Sequence, residues 1–487
     1  MRPAVKPAGG RVRQAFLRSA VVLAVVLLAG CASLSPDGDS AALKQLTAGK
    51  TAGVEARLPS PQMAQAETDA LVVELLKAPL SAESAVRVAL LNSPSLQGSL
   101  AALGVSDAQR VQAGRIPNPH LMLGRFRAGD MLEIERLLTF NVVGMLSLPW
   151  QAKWQSQQHE LAKLLAAQDV VKLAADTRKA WINAVAAQQT ALYMADARDA
   201  AQASGELARR MARVGNWSRL QQAREQVLLA DATAQLARAQ QLAFSEREKL
   251  IRLMGVWGAQ TSFTLAQRLP DLPREVTAMA DIEATALRER LDVRSAVAES
   301  AYVADQLGLK KLLGYLDGLT LAYRYDTSFD NAVRSQQTRR GWELELPLPI
   351  FDWGGPRNAR AQATYTQATA RVREVAVRAR SEAREAYQGY RTAYDLARHY
   401  RDEIVPLRKF INDELVLRYS GMLVSVWDLL ADTRMQIMSV NSAIEAQRDF
   451  WLAEADLQTA LTGASPGAMK AGKAGANAAG SETAAAH

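Results

Sequence analysis

Residue types able to do chemistry are sparse in this chain. Its four histidines (His120, His159, His399 and His487) are scattered over 487 residues. His159-Glu160 has no second histidine at the spacing of a helical zinc site, and no phosphate-cradling Walker loop occurs. The expectation is a protein with no catalytic residues, no metal ligand set and no cofactor. Met422, Met435 and Met438 offer soft thioether donors near one another in sequence. Methionine more commonly fills gaps in packed seams, and that is the expectation here. The remaining candidates are charges placed on alternating segments (Arg324, Glu343, Glu345), carboxylates beside a glycine turn (Asp428, Asp432), and one thiol, Cys31.

Cys31 is the only cysteine, so an intrachain disulfide is excluded. Its setting points to acylation. Arg2, Lys6, Arg11, Arg13 and Arg18 form a basic, acid-free leader, followed by the apolar run Ala20 to Ala29. That run is shorter than the ~20 residues a spanning helix needs and reads as a signal peptide. It ends in Leu28-Ala29-Gly30-Cys31, which resembles the cleavage box of bacterial lipoproteins. The Cys31 thiol would accept a diacylglycerol, a covalent lipid in place of any cofactor. Ala32 is not the aspartate that such signals use for inner-membrane retention, which favours the outer membrane.

The five basic residues of the leader are unaccompanied by acids, so cleavage lowers the formal net charge from +8 to +3. A nucleic-acid partner loses its support with them. Beyond residue 30 no apolar run approaches the length of a spanning helix, so any membrane crossing must use strands.

The sequence divides into a signal peptide (1–30), an N-terminal strap (31–79) with a short helix near 66–77, a first repeat (80–265), a linker (266–279), a second repeat (280–464) and a polar Ala/Gly-rich tail (465–487) expected to be disordered. Asn92-Ser93-Pro94 and Arg290-Leu291-Asp292 open corresponding helical stretches. Leu121 and Leu319, like Pro149 and Pro347, lie 198 residues apart. Each repeat reads helix, strand, strand, long helix, turn, long helix. Leu319 to Tyr325 alternates, with leucines and tyrosines on one face and Thr320, Ala322 and Arg324 on the other. Trp342 to Leu346 alternates likewise, with Glu343 and Glu345 opposite Trp and Leu. The matching strand of the first repeat is read at Gly144 to Leu148. Phe126, Phe140, Trp150, Tyr323, Tyr325, Trp342, Phe351 and Trp353 fall near the strand ends, where aromatic girdles would sit at bilayer interfaces.

The stretches from about Gln151 to Arg213 and from about Arg357 to Tyr419 read as rods of roughly 90 Å at ~1.5 Å per residue. Small residues and sparse Leu and Val at three- and four-residue spacing suit coiled-coil-like packing. Gly215 and Gly421 suit left-handed helix stops, and Ser218 and Ser425 then cap the returning helices.

Pro347 to Arg357 (PLPIFDWGGPR), Asn92-Ser-Pro-Ser-Leu96, Leu253-Met254-Gly255, and Gly421 with Ser425, Asp428 and Leu430 resemble, in order and spacing, the TolC family of outer-membrane efflux proteins. The resemblance covers about residues 80 to 465. It departs at Leu291, at one extra residue between Gly421 and Ser425, and at Ala431, which stands where a second gate aspartate is found, with Asp432 one step later. The resemblance implies an α+β, mostly α fold. Long helical hairpins would form a periplasmic α-barrel, and four membrane strands per protomer would complete a 12-strand β-barrel in a homotrimer. It implies an outer-membrane exit duct for solutes delivered by an inner-membrane pump (RND, ABC or MFS type) and a periplasmic adaptor, or a type I secretion system. Gly215, Ser218, Gly421, Ser425, Asp428 and Asp432 are placed at the periplasmic gate or adaptor contact; Arg324, Glu343 and Glu345 are placed in the lumen. The alternative is a lipid-anchored coiled-coil structural or adhesive lipoprotein without a pore.

Overall fold

In the computed structural model, residues 33–51, 53–55, 58, 65–276, 278–313, 319–346, 350 and 353–464 are described. The signal peptide, Cys31, residues 347–349, 351 and 352 of the Pro347 to Arg357 motif and the tail from residue 465 lie outside them. In chain order the helices and strands are α1 (Ser40–Thr47), α2 (Gln65–Leu76), α3 (Ala82–Asn92), α4 (Pro94–Ala113), β1 (His120–Ala128), β2 (Met131–Asn141), α5 (Val142–Arg213) and α6 (Arg219–Met254). The second series is α7 (Ile282–Glu289), α8 (Leu291–Leu313), β3 (Thr320–Asp330), β4 (Ser335–Glu345), α9 (Gly355–His399), α10 (Val405–Ser420) and α11 (Val426–Thr462).

The described residues fall into two compact units. The first (33–38, 102–162 and 298–370) carries a four-stranded antiparallel sheet in the order β1-β2-β3-β4. Gly129, at φ +60°, makes the β1–β2 turn, and Asn331 N–H donates to the Asp130 carbonyl to tie the two turns together. Among the described residues β1 and β4 each keep an unpaired edge.

One strand is not where its sequence pattern put it. Gly144 to Leu148 is helix, the opening turns of α5, and the second strand of the first repeat is Met131–Asn141. Asn141 ends that strand by accepting the Gly144 N–H on Oδ1 at 2.7 Å, which starts the helix. The equivalence that holds is Asn141 with Glu345, the last residues of β2 and β4, and not Pro149 with Pro347. Pro149 sits inside α5, where it lacks the N–H to bond residue 145. A five-residue alternating string such as 144–148 also fits one side of a helix start, so pattern alone did not separate the two.

The second unit (39–101, 163–297 and 371–464) is helical. Its buried line along α5 runs through Ala167, Val170, Ala174, Thr177, Trp181 and Val185. These are three or four residues apart and mostly small, so neighbouring helices approach closely. The Trp181 indole donates to the Leu80 carbonyl at 2.8 Å. In the second repeat Tyr390, Tyr394 and Phe450 stack at centroid separations of 5.5 and 5.7 Å. Pro406 does not stop its rod: the helix widens at Tyr400–Ile404, just before the proline, and then continues as α10.

Each repeat closes on itself where its short helices meet the end of its last long one. In the first, the Asn92 amide donates to the Gly255 carbonyl at 2.8 Å, and Gly255 holds φ +67° where a Cβ would come within 2.7 Å of the Asn92 oxygen. In the second, Leu291 N–H donates to the Gly463 carbonyl at 3.0 Å. Beside it the Arg290 side chain is fully buried, held by Asp292 at 2.6 Å, Glu382 at 2.9 Å and the Ala460 carbonyl. Burial alone would lower the Arg290 pKa, but the two carboxylates outweigh it and hold the guanidinium charged. Arg290→Leu leaves two carboxylates facing a buried gap, and we expect a loss of about 3–5 kcal/mol in helical stability. Adding Asp292→Asn and Glu382→Gln to that variant should recover much of it; an unchanged melting midpoint in Arg290→Leu alone would show the cluster to be dispensable.

Candidate functional site

Strand register decides which charges share a face. Ala322 pairs with Glu343, Thr320 with Glu345 and Arg324 with Gly341, so the three lumen candidates share one face of the sheet. The Arg324 guanidinium is hydrogen-bonded to both oxygens of Glu343 and lies 3.5 Å from Asp326. Thr320 donates to Glu345 at 3.2 Å. The same parity places Glu133, Glu135 and Asp330 on this face, with Arg339 as its second base. Six carboxylates thus face two arginines. Glu133 and Glu135 were missed because β2 was misplaced.

The opposite face carries Leu121, Leu138, Phe140, Leu321, Tyr323, Trp342 and Leu344, with the Tyr323 and Trp342 rings 5.1 Å apart. Leu121, Trp342 and Leu344 are each more than 60% exposed within the chain, an apolar surface that water would not favour. The girdle assignment needs correction at three of its described residues, and Phe351 lies outside the described ones. Tyr325 is the central residue of β3 and is near neither end. Phe126 lies on the acid-rich face, its ring folded over Gly124, where a Cβ would be 2.7 Å away. Trp150 lies in α5.

At the hairpin ends of the helical unit, both serine caps are formed. Ser218 makes a capping box with Gln221, and Ser425 makes one with Asp428. The Asp428 carboxylate accepts from the Ser425 N–H at 3.2 Å and its hydroxyl at 2.7 Å. Asp432 turns to the neighbouring helix, 3.5 Å from Arg408, and its second oxygen is buried without a hydrogen-bond partner among the described residues. The two aspartates therefore have different local tasks.

The two glycine stops are not equivalent. Gly215 is left-handed at φ +80°, but Gly421 is not, at φ −83°; Met422 takes that conformation at φ +59°. Asn216 N–H bonds Met211 five residues back, as Leu423 N–H bonds Arg418, so Met422 is the counterpart of Gly215. From there to the capping serine is three residues in both hairpins, which accounts for the extra residue after Gly421. Met422 is 93% exposed at this turn, and Met435 and Met438 are exposed too, so these methionines do not fill a packed seam within the chain.

Between the two hairpins lies a cavity of about 580 Å³, lined by residues including Met194, Ser204, Val416, Tyr419, Thr433 and Met438. At its side the fully buried Glu225 accepts a hydrogen bond from Ser204 at 2.7 Å and lies 3.8 Å from Arg434. Sequence reasoning missed Glu225 because its neighbours, Arg224 and Gln226, give it the look of a solvated helix face.

The duplicated helix–strand–strand–helix–helix order, with a small sheet among long hairpins, defines a TolC-like channel fold. No family model and no curated protein matches the sequence. Solved structures do. The chain is similar to the outer-membrane channel OprN, at 17% identity and a TM-score of 0.63 over 85% of this chain and 95% of that one. It is similar to CusC, whose structures describe transmembrane channel formation, at 15% identity and a TM-score of 0.63 over 78% and 92%. It is also similar to the outer membrane protein VceC of Vibrio cholerae, at 16% identity and a TM-score of 0.59 over 82% and 97%.

The turn geometry separates the two glycines experimentally. Gly215→Ala should cost the first hairpin about 1–2 kcal/mol, the usual penalty for a left-handed Cβ. Gly421→Ala should cost little, since its φ is ordinary and its nearest Cβ contact would be 3.6 Å. Hydrogen exchange at the two turns reads both, and equal effects would refute the assignment of Met422 as the stop.

Proposed function

We propose that this chain is one protomer of an outer-membrane exit duct serving a tripartite efflux or type I secretion system. The observation that carries it is the sheet: two unpaired edges, one acid-rich face and one exposed apolar face, on the fold of outer-membrane channels. Open edges are not tolerated in lipid, so the sheets of several copies must join. Two copies give eight strands and a lumen filled by side chains; three give twelve and room for passage. A homotrimer therefore accounts best for a duct.

In this reading Arg324, Glu343 and Glu345 line the lumen, and the helical hairpins of the three copies form the periplasmic tunnel. The hairpin ends with Gly215, Ser218, Gly421, Ser425, Asp428 and Asp432 meet the adaptor and open or close the duct. A diacylglycerol on Cys31 would add a second anchor to outer-membrane lipid. The protein performs no chemistry; an inner-membrane pump supplies the energy.

Extraction of the mature protein from outer membranes in mild detergent should give the native mass of a trimer. A stable monomer would leave four strands with open edges and favour the tethered coiled-coil spacer. In planar bilayers, Glu343→Lys with Glu345→Lys should shift the pore from cation towards anion preference while the trimer persists. Unchanged selectivity would place these residues outside the lumen.

A further inference from the structure

The apolar face of the sheet is not uniformly apolar, and its charges are of one sign. Phe140, Leu321 and Leu344 form a row at the end where the helices leave; Leu138, Tyr323 and Trp342 form the next. Every charged residue on that face lies on the turn side of these two rows, Arg136 and Arg340 at the middle of their strands and Arg125 and Arg127 closer to the turn at residues 129–130, and each is an arginine. The opposite face of the same strands carries six carboxylates and two arginines. So sharp a division is not expected of a solvated surface, where signs are mixed.

The four arginines also differ from Arg324 in what they touch. Arg324 is engaged by Glu343 and Asp326. Arg136 donates to the Thr327 hydroxyl at 3.2 Å and lies 5.4 Å from the Tyr325 ring centroid. Arg125, Arg127 and Arg340 are exposed and have no hydrogen-bond or ion-pair partner among the described residues. A neighbouring copy closing the sheet would bring the same acid-free face, so no carboxylate would arrive with it. Guanidinium groups beside an apolar band are left to water or to an anion from outside the protein. Their planar forks suit phosphate oxygens, and their stems can lie along the acyl region while the heads reach the interface.

We infer that Arg125, Arg127, Arg136 and Arg340 form a docking belt for the phosphate groups of outer-leaflet lipid headgroups, seated beside the apolar band. The inference rests on the proposed membrane placement of the sheet, in which the turns face outward. Its occupant is a phosphorylated, multiply acylated lipid of the lipid A type. Acyl chains cover the leucine and aromatic rows, and phosphates meet the guanidinium groups. Bound lipid would then also fix the depth of the barrel, since arginine heads cost least at the headgroup level.

The test is native mass spectrometry of the purified full-length mature protein, loaded with bisphosphorylated lipid A or with the same lipid after dephosphorylation. Wild type should retain the phosphorylated form preferentially. The triple variant Arg125→Gln/Arg127→Gln/Arg340→Gln should lose roughly 100-fold of that preference, at about one tenfold-or-less step per arginine near the surface. Arg339→Gln, which removes one charge from the other face of the same strand, should keep it. Equal retention of the dephosphorylated lipid, or full retention by the triple variant, would overturn the proposal. Displacement by millimolar inorganic phosphate would overturn it too, in favour of a free anion. Trimer mass in the same spectra and bilayer conductance report on the duct separately. A conducting trimer without phosphate preference refutes only the belt; absence of a trimer refutes both.

Discussion

A β-strand presents a row of N–H and C=O groups on each side, and in hydrocarbon nothing but another strand can satisfy them. Much else here follows from that constraint. Four strands in the order β1-β2-β3-β4 satisfy their inner edges and leave two outer ones. In the proposed membrane setting, a chain built this way would have a complete sheet only in the company of copies of itself. On the proposed reading, duplication inside the chain is an economical route to that state, since each repeat supplies two strands and symmetry would repeat the sheet again.

Alternation then gives the sheet its two characters. Because successive side chains point to opposite faces, one register places Arg324, Glu343 and Glu345 together and sends Trp342 and Leu344 to the other side. A slip of one residue would exchange the faces, so the register is held by chemistry on both. The Arg324–Glu343 pair and the Tyr323–Trp342 contact are neighbours across the same two strands, one on each face. The arginine belt follows the same parity, which is why it can be all basic while the other face is mostly acidic.

The helical unit solves a different problem, that of holding long helices side by side with little bulk between them. Alanine-rich lines bring the helices close, and specificity comes from a few buried polar groups. Arg290 with Asp292 and Glu382 fixes the start of the second repeat, while Asn92 with Gly255 fixes the first. Near the hairpin ends packing is looser, with a cavity and a buried glutamate between the two hairpins. A segment that must meet a partner or change shape is expected to be less tightly packed.

Much was legible in the sequence by itself. The repeat, the long rods, the alternation of β3 and β4 and the serine caps all rest on local signals: period, helix breakers and short-range hydrogen bonds. The acylation box at Cys31 is equally local, and lies outside the described residues. What the tertiary structure decided was everything that depends on pairing across distance. It moved the second strand to Met131–Asn141, because a strand is defined by its partner and the 144–148 pattern had none. It gave the left-handed turn to Met422 instead of Gly421, because the last bonds of α10 set the stop and the residue type only permits it. It buried Glu225 and Arg290, whose sequence neighbours look like those of any solvated helix. And it joined arginines from β1, β2 and β4 into one acid-free face, which no single strand reveals, since each contributes only one or two of them.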